Sequence, residues 1–223
     1  ETSGQRGCLA ACWQETWRED NGEVDVVGDG KLLVSRKGVQ CRRGSAGVAI
    51  ALSRKGVDAW EKGGSQVVAA GDGRIIGARL LLKDARGVEV GVFLVSAYAP
   101  VGTAAKADWD EFLDALDMVI GKCKKDDVLM IGIDSNSSMG SGGGGHRIGK
   151  VMGRFGNGHI NDAGRRFMAF LAIRGLSAPS TFFRKRDYST WCHPRSKNMH
   201  QIDQFVCRER DLRRVSDCGV RPA

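Results

Sequence analysis

The stretch from Val128 to Asn136, Val-Leu-Met-Ile-Gly-Ile-Asp-Ser-Asn, constrains the fold of this chain more than any other. Its first six residues have almost no polarity and predict a strand buried on both faces. A strand held this firmly is a rigid mount for whatever stands at its carboxyl end. Side chains alternate along extended backbone, so Asp134 and Asn136 are expected to leave the strand's end together. A carboxylate and a carboxamide aimed at one spot can take a proton and orient a bound oxygen. The same residues also suit an ordinary turn, because Asp, Ser and Asn favour strand ends for local reasons.

The surrounding pattern is rich in strands. Val24–Val27, Leu32–Ser35, Gly47–Leu52 and Val67–Ala69 read as short strands, with a basic, glycine-containing loop at 36–44. Ile75–Leu82 and Val88–Tyr98 are two longer ones joined by Lys83-Asp84-Ala85-Arg86-Gly87, which has hairpin-turn chemistry. Past Pro100, the apolar residues Trp109, Phe112, Leu113, Leu116, Val119 and Ile120 mark one helical face, opposite the acidic Asp108, Asp110, Glu111, Asp114 and Asp117. A second helix is expected over Ala163–Arg174, stopped at Gly175, and strand-like pieces follow between Thr181 and Phe205. Hairpin-connected strands that outnumber the helices predict an α/β (α+β) protein: two mainly antiparallel sheets packed face to face, with helices outside. Gly144–Lys150 imitates a phosphate-binding loop, but Val151 stands where a Ser or Thr hydroxyl should follow the lysine.

At 223 residues the chain can bury a full core without disulfides. Its seven cysteines form no Cys-x-x-Cys pair, which favours reduced, mostly buried thiols in a nuclear or cytoplasmic protein that is not secreted. No apolar run approaches a membrane span. The net charge of +8 is unevenly placed: residues 1–140 hold 18 basic against 20 acidic side chains, and residues 141–223 hold 16 against 6. Such segregation points to a phosphate-rich partner, and DNA is the expected one.

Five stretches then stand out in order: Gln14-Glu15-Thr16-Trp17, Ser96-Ala97-Tyr98-Ala99-Pro100, Ile131-Gly132-Ile133-Asp134-Ser135-Asn136, Ser189-Thr190-Trp191 and Gln201-Ile202-Asp203-Gln204-Phe205. Together they resemble the endonuclease/exonuclease/phosphatase superfamily with the DNase I-like fold. Asn161-Asp162-Ala163-Gly164 and the run from Thr190 to Lys197 are similar in particular to the AP-endonuclease-like domains of non-LTR retrotransposons and their domesticated relatives of the craniofacial development protein 2 type. The resemblance implies a metal-dependent phosphodiesterase acting on DNA. It makes Glu15 the ligand of Mg²⁺ (or Mn²⁺), Tyr98 a contact to the scissile phosphate, and Asp134 the acceptor of the attacking water's proton. Asn136 would position the phosphate, Asp203 would orient a catalytic histidine, and Asn161 and Thr190 would hold substrate oxygens, although Asn161-Asp162 suits a helix N-cap equally well. Arg184, Lys185, Arg186, Arg195 and Lys197 would bind the backbone, with Trp191 or Tyr188 stacking on a base.

Two family elements have no counterpart. A first strand carrying a metal-site Asn is expected well before Gln14, and a terminal Ser-Asp-His is expected after Arg214–Arg221, which reads as the strand leading to it. The resemblance therefore implies a single monomeric domain of a larger protein, lacking both, whose 223 residues alone are impaired or inactive. Two other readings stay open: a domesticated remnant that binds nucleic acid or protein without cutting, and a phosphatase of the same superfamily, which the basic second half disfavours.

Overall fold

The computed structural model describes residues 7–17, 22–25, 29–35, 47–141 and 150–220, with residues 22–25 as backbone. Among these the order is β1 (Ala10–Gln14), β2 (Gly22–Asp25), β3 (Lys31–Ser35), β4 (Val48–Leu52), α1 (Arg54–Lys62), β5 (Val67–Ala70), β6 (Ile75–Lys83), β7 (Glu89–Tyr98), α2 (Lys106–Ile120) and β8 (Val128–Asp134). Then come α3 (Asp162–Ile173), β9 (Leu176–Ser177), β10 (Trp191–Cys192), β11 (Met199–His200) and β12 (Asp203–Arg208). The basic loop at 36–44, most of the glycine loop after Ser141, and the phosphate-loop imitation at 144–150 lie largely outside the described residues.

Two sheets carry the fold. One is four-stranded in the order β1-β4-β3-β2, and the other six-stranded in the order β5-β6-β7-β8-β12-β9. Every pairing is antiparallel except β7 with β8. That parallel pair needs a crossover, and α2 supplies it. The turn between β6 and β7 closes as its sequence suggests: Asp84 Oδ1 accepts the N–H groups of Arg86 (2.8 Å) and Val88 (2.9 Å), and Gly87 takes φ +79°.

The larger sheet has two apolar faces, which explains the unbroken hydrophobicity of β8. Leu129, Ile131 and Ile133 face outward into a core with Trp109, Phe112, Leu116 and Val119 of α2 and Phe167, Met168 and Leu171 of α3. The opposite face meets the smaller sheet, where Leu33, Val48, Ile50 and Leu52 pack against Ile76, Ala78, Leu80, Leu94 and Tyr98. Met130, Gly132 and Asp134 alternate with the outward-facing set and so look toward this inner side. At Gly132 the sheets come close enough that a Cβ would lie 2.7 Å from the Cys12 Cβ and 2.8 Å from its Sγ.

Three sequence expectations change. Residues 54–62, which no sequence pattern assigned, form α1; its Val57, Ala59 and Trp60 close the inter-sheet core, and Ser53 caps it by accepting from Gly56 N at 3.4 Å. A helix this short offers barely two turns of periodicity, too few to be read from sequence alone. Residues 215–220, expected as a strand, have no regular structure; they follow a 3-10 turn at Glu209–Arg214, and Lys185 holds the Asp217 carboxylate. The six cysteines among the described residues are less buried than expected: Cys123 and Cys207 are buried, Cys12 and Cys218 half-buried, Cys8 and Cys192 exposed. Among the described residues no helix is long and apolar enough to cross a membrane.

Candidate active site

Three adjacent strands of the larger sheet bring Tyr98, Asp134 and Asp203 into one row. Tyr98 is the register partner of Asp134 in the parallel β7–β8 pair, and Asp203 is its partner in the antiparallel β8–β12 pair. Register partners project from the same face, so all three side chains point toward the inner side. The strand end that carries Asp134 is fixed from beside it: Ser135 donates its backbone N–H (2.9 Å) and its hydroxyl (2.7 Å) to the carbonyl of Ile202, next to Asp203.

The smaller sheet supplies the fourth group. Gln14, at the end of β1, donates through Nε2 to Ser96 Oγ (3.2 Å) and to the Gly132 carbonyl (3.3 Å), while Ser96 donates to the Trp13 carbonyl at 3.1 Å. These bonds pin β1 across β7 and β8. The chain then turns at Glu15, whose φ of +54° is in the left-handed region that non-glycine residues seldom occupy. Its carboxylate Oε1 accepts the Tyr98 hydroxyl at 2.7 Å.

The electrostatics follow from crowding carboxylates in a recess. Desolvation by burial pushes Asp134 up to about 7, against the pull of the Asn136 N–H, and the charges of Asp203 and Glu15 push the same way. Asp203 is also raised, first by desolvation and further by Glu15, although Thr190 lowers it. Asp203 is itself exposed, in the wall of a concavity. Tyr98, only 6% exposed, is pushed up to about 12 by burial and by its bond to Glu15.

The other expected residues divide. Asn136 is at the row, but β8 ends at Asp134, so simple alternation does not aim it. It takes φ +43°, its N–H is held by Asp134 Oδ1 at 2.9 Å, and its Nδ2 donates to the Ala99 carbonyl at 2.9 Å. The turn chemistry and the site are thus the same structure. Thr190 Oγ1 accepts the N–H groups of Ile202 (3.0 Å) and Asp203 (3.1 Å), which makes it a clamp on the start of β12. Asn161 caps α3: its Oδ1 accepts from Gly164 N at 2.7 Å and Ser138 N at 3.2 Å. Its Nδ2 and the Asn136 carbonyl both flank Gly102, so it borders the row without joining it.

Arg195 and Lys197 are exposed in the tight connection between β10 and β11, and Arg184 and Arg186 are exposed in the segment that leads to β10. Lys185 is committed to Asp217, and the Tyr188 hydroxyl is committed at 2.7 Å to Lys185 N and at 3.0 Å to the Phe183 carbonyl. Trp191 remains 40% exposed, with His193 edge-on at 5.3 Å. Gln14, Ser96 and Ser135 were quoted in the sequence motifs without a role; only the fold shows that they lock the strands together.

A cavity of about 290 Å³ opens beside the row, bounded by Cys12, Gln14, Asp203, Phe205, Gly219 and Val220. Among the described residues, no three His, Cys, Asp or Glu side chains close around a single point.

No family model matches the chain. It is 33% identical over 131 residues to craniofacial development protein 2 of Bos taurus, a match covering 58% of this chain and 22% of that protein. It is 32% identical over the same length to the Tragulus javanicus counterpart. The chain thus spans 22% of the length of these curated relatives. Among solved structures, the catalytic domain of Xenopus laevis APE2 superposes with a TM-score of 0.54 at 13% identity, covering 92% of this chain and 75% of that one. The chain shares the DNase I-like fold of that domain, two sheets with helices outside.

Proposed function

We propose that this domain hydrolyses phosphodiester bonds in DNA with the help of a divalent cation, Mg²⁺ or Mn²⁺, and that it derives from a retrotransposon endonuclease. The observation that carries this reading is the row itself: Asp134 beside Tyr98 and Asp203, with Glu15 reaching in from the other sheet. The fold similarity to the APE2 catalytic domain supports the class of chemistry, and the basic surface around Arg184, Arg186, Arg195 and Lys197 supports a polyanionic substrate.

The donors suit the cation. Glu15 is exposed, offers a hard oxygen, and has one oxygen steadied by Tyr98. Mg²⁺ commonly takes one or two carboxylates and keeps several waters, so it needs no closed protein cage. Burial first, and neighbouring carboxylates second, raise Asp134 and Asp203, and a nearby positive charge would oppose both effects. When bound, the cation supplies charge neutralisation on the phosphate.

The chain's own groups do the rest. Asp134, pushed up to about 7, is suited to accept a proton from water near neutral pH. The Tyr98 hydroxyl gives its one hydrogen to Glu15 and has the Asn136 side chain against it, so either group meets a phosphate oxygen only by exchanging that bond. Thr190 and Ser135 keep Asp203 and Asp134 in register. Arg195 binds backbone phosphate.

Nicking of supercoiled plasmid in Mg²⁺, against EDTA and against the Asp134→Asn variant, tests the proposal. Metal-dependent relaxation lost in the variant supports it; relaxation that persists in EDTA overturns it. One observation favours a second reading, a domain that binds DNA without cutting. No described histidine is among the groups that bear on Asp134 or Asp203. A gel shift retained with no nicking at any metal concentration would select that reading.

A further inference from the structure

A closed ring of hydrogen bonds runs through the candidate site and joins the two sheets. Next to Glu15, Thr16 N donates to the Gly47 carbonyl at 3.0 Å, and Gly47 N donates to the Gly73 carbonyl at 3.2 Å. The next residue, Arg74, accepts Tyr98 N at 2.8 Å, and the Tyr98 hydroxyl returns to Glu15 at 2.7 Å. Every link but one is backbone and therefore indifferent to side-chain identity. The exception is Tyr98, whose ring must stand at one angle for its hydroxyl to close the circuit.

Arg74 is the side chain that fixes that angle. Its Nη1 donates to the Tyr98 carbonyl at 3.3 Å, and its guanidinium carbon lies 5.4 Å from the centre of the Tyr98 ring. The tyrosine is thus gripped at its backbone and across its face by one planar cation, a contact for which Arg is better shaped than Lys. Arg74 has acidic company, since Asp72, Asp108 and Glu111 line the same cavity of about 420 Å³. The half-buried guanidinium thus meets Tyr98 twice, at its carbonyl and over its ring.

We infer that Arg74 is a positioning residue for Tyr98, holding the phenol in the one orientation that closes the ring onto Glu15 and so fixes that carboxylate in the site. The inference rests on the phosphodiesterase reading for its kinetic consequence, while the hold on Tyr98 is a property of the folded chain itself. Arg74 does not touch the reacting atoms and acts only through its neighbour.

The chain has two tyrosines, so protein labelled with ¹³C at tyrosine Cζ gives two resonances, and Tyr188→Phe assigns them. In Arg74→Met the Tyr98 resonance should leave its native position while the circular dichroism spectrum stays unchanged. Arg74→Lys, which keeps the charge and loses the planar fork, should fall between. In plasmid nicking, Arg74→Met should lower kcat about tenfold with KM nearly unchanged, the signature of a misplaced group. In the Tyr98→Phe background the same substitution should cost less than about twofold, since the hydroxyl it positions is already gone. A Tyr98 resonance unmoved in folded Arg74→Met overturns the inference. So does a loss that appears in KM and persists in the Tyr98→Phe background, which would make Arg74 a direct substrate contact. If Arg74→Met does not fold, Arg74→Lys read the same two ways decides. If the parent chain nicks nothing, the proposed function fails while the spectra still answer for Arg74.

Discussion

Asp134 stands directly opposite Asp203 in the β8–β12 ladder, two carboxylates paired across neighbouring strands. Like charges so placed destabilise a sheet, and the fold surrounds them with fixed ties: Ser135 to Ile202 on one side, Thr190 to Asp203 on the other. This arrangement makes the site and its cost measurable together.

Stability should fall as pH rises from about 4 to about 7. The folded state holds the Asp134 proton up to about 7, and the unfolded chain releases it near the ordinary value of 3.8. A raised acid contributes its full share below the unfolded value and loses it as pH climbs through the folded one; Asp203 acts in the same direction. The loss should amount to about 1–3 kcal/mol across that window. Asp134→Asn should flatten the profile and raise the melting temperature at pH 8, while reducing nicking by about a hundredfold or more. Thermal melts from pH 4 to pH 8 check this; an unchanged slope in the variant would contradict it.

Glu15→Gln should keep the Tyr98 hydrogen bond and remove the charge. In the parent chain, millimolar MgCl₂ should raise the melting temperature at pH 8 more than at pH 5, where the carboxylates hold their protons. In Glu15→Gln most of that gain should vanish. Calorimetry with MgCl₂ alone, without DNA, reads the effect apart from activity; an equal gain in both proteins would remove Glu15 from the metal's ligands.

Thr190→Val should destabilise by about 1–3 kcal/mol, because two backbone N–H groups at the start of β12 lose their acceptor. Activity should fall through kcat, since Asp203 shifts, with KM little changed. A selective rise in KM would instead return Thr190 to the substrate-binding role its motif suggested.

Gly132→Ala should cost about 1–3 kcal/mol by forcing a methyl against Cys12, whose Cβ would lie at 2.7 Å. Chemical denaturation measures the loss. Because β1 carries Gln14 and leads into Glu15, metal affinity should weaken with it; Cys12→Ala combined with Gly132→Ala should recover part of both.

Much of this was legible in the residues, for identifiable reasons. The β6–β7 hairpin and the α2 face announce themselves because their periodicity is long and their turn chemistry specific. Asp134, Tyr98, Asp203 and Glu15 were visible as ordered motifs, and the fold brings them together. The role of Thr190 was not legible, because a polar side chain in a motif reads the same whether it faces a substrate or a backbone N–H; for Asn161 the helix cap was one of two readings, and the structure shows it. The left-handed turns at Glu15 and Asn136 left no glycine to mark them. Arg74 lies outside every motif, and its bond to Tyr98 depends on a strand pairing that local sequence does not encode.

The single parallel pairing of β7 with β8 has a consequence for a chain still being made. Those two strands and the intervening α2 are contiguous, whereas β12 follows about 70 residues later, a gap of several seconds at ordinary rates of synthesis. Until it arrives, Asp134 would sit on an open edge, hydrated and ionising as any surface carboxylate does. The ladder that delivers Asp203 also crowds Asp134 and raises its affinity for a proton. A nascent chain would therefore acquire its reactive acid and its electrostatic burden in the same late step, and fragments released early would carry neither.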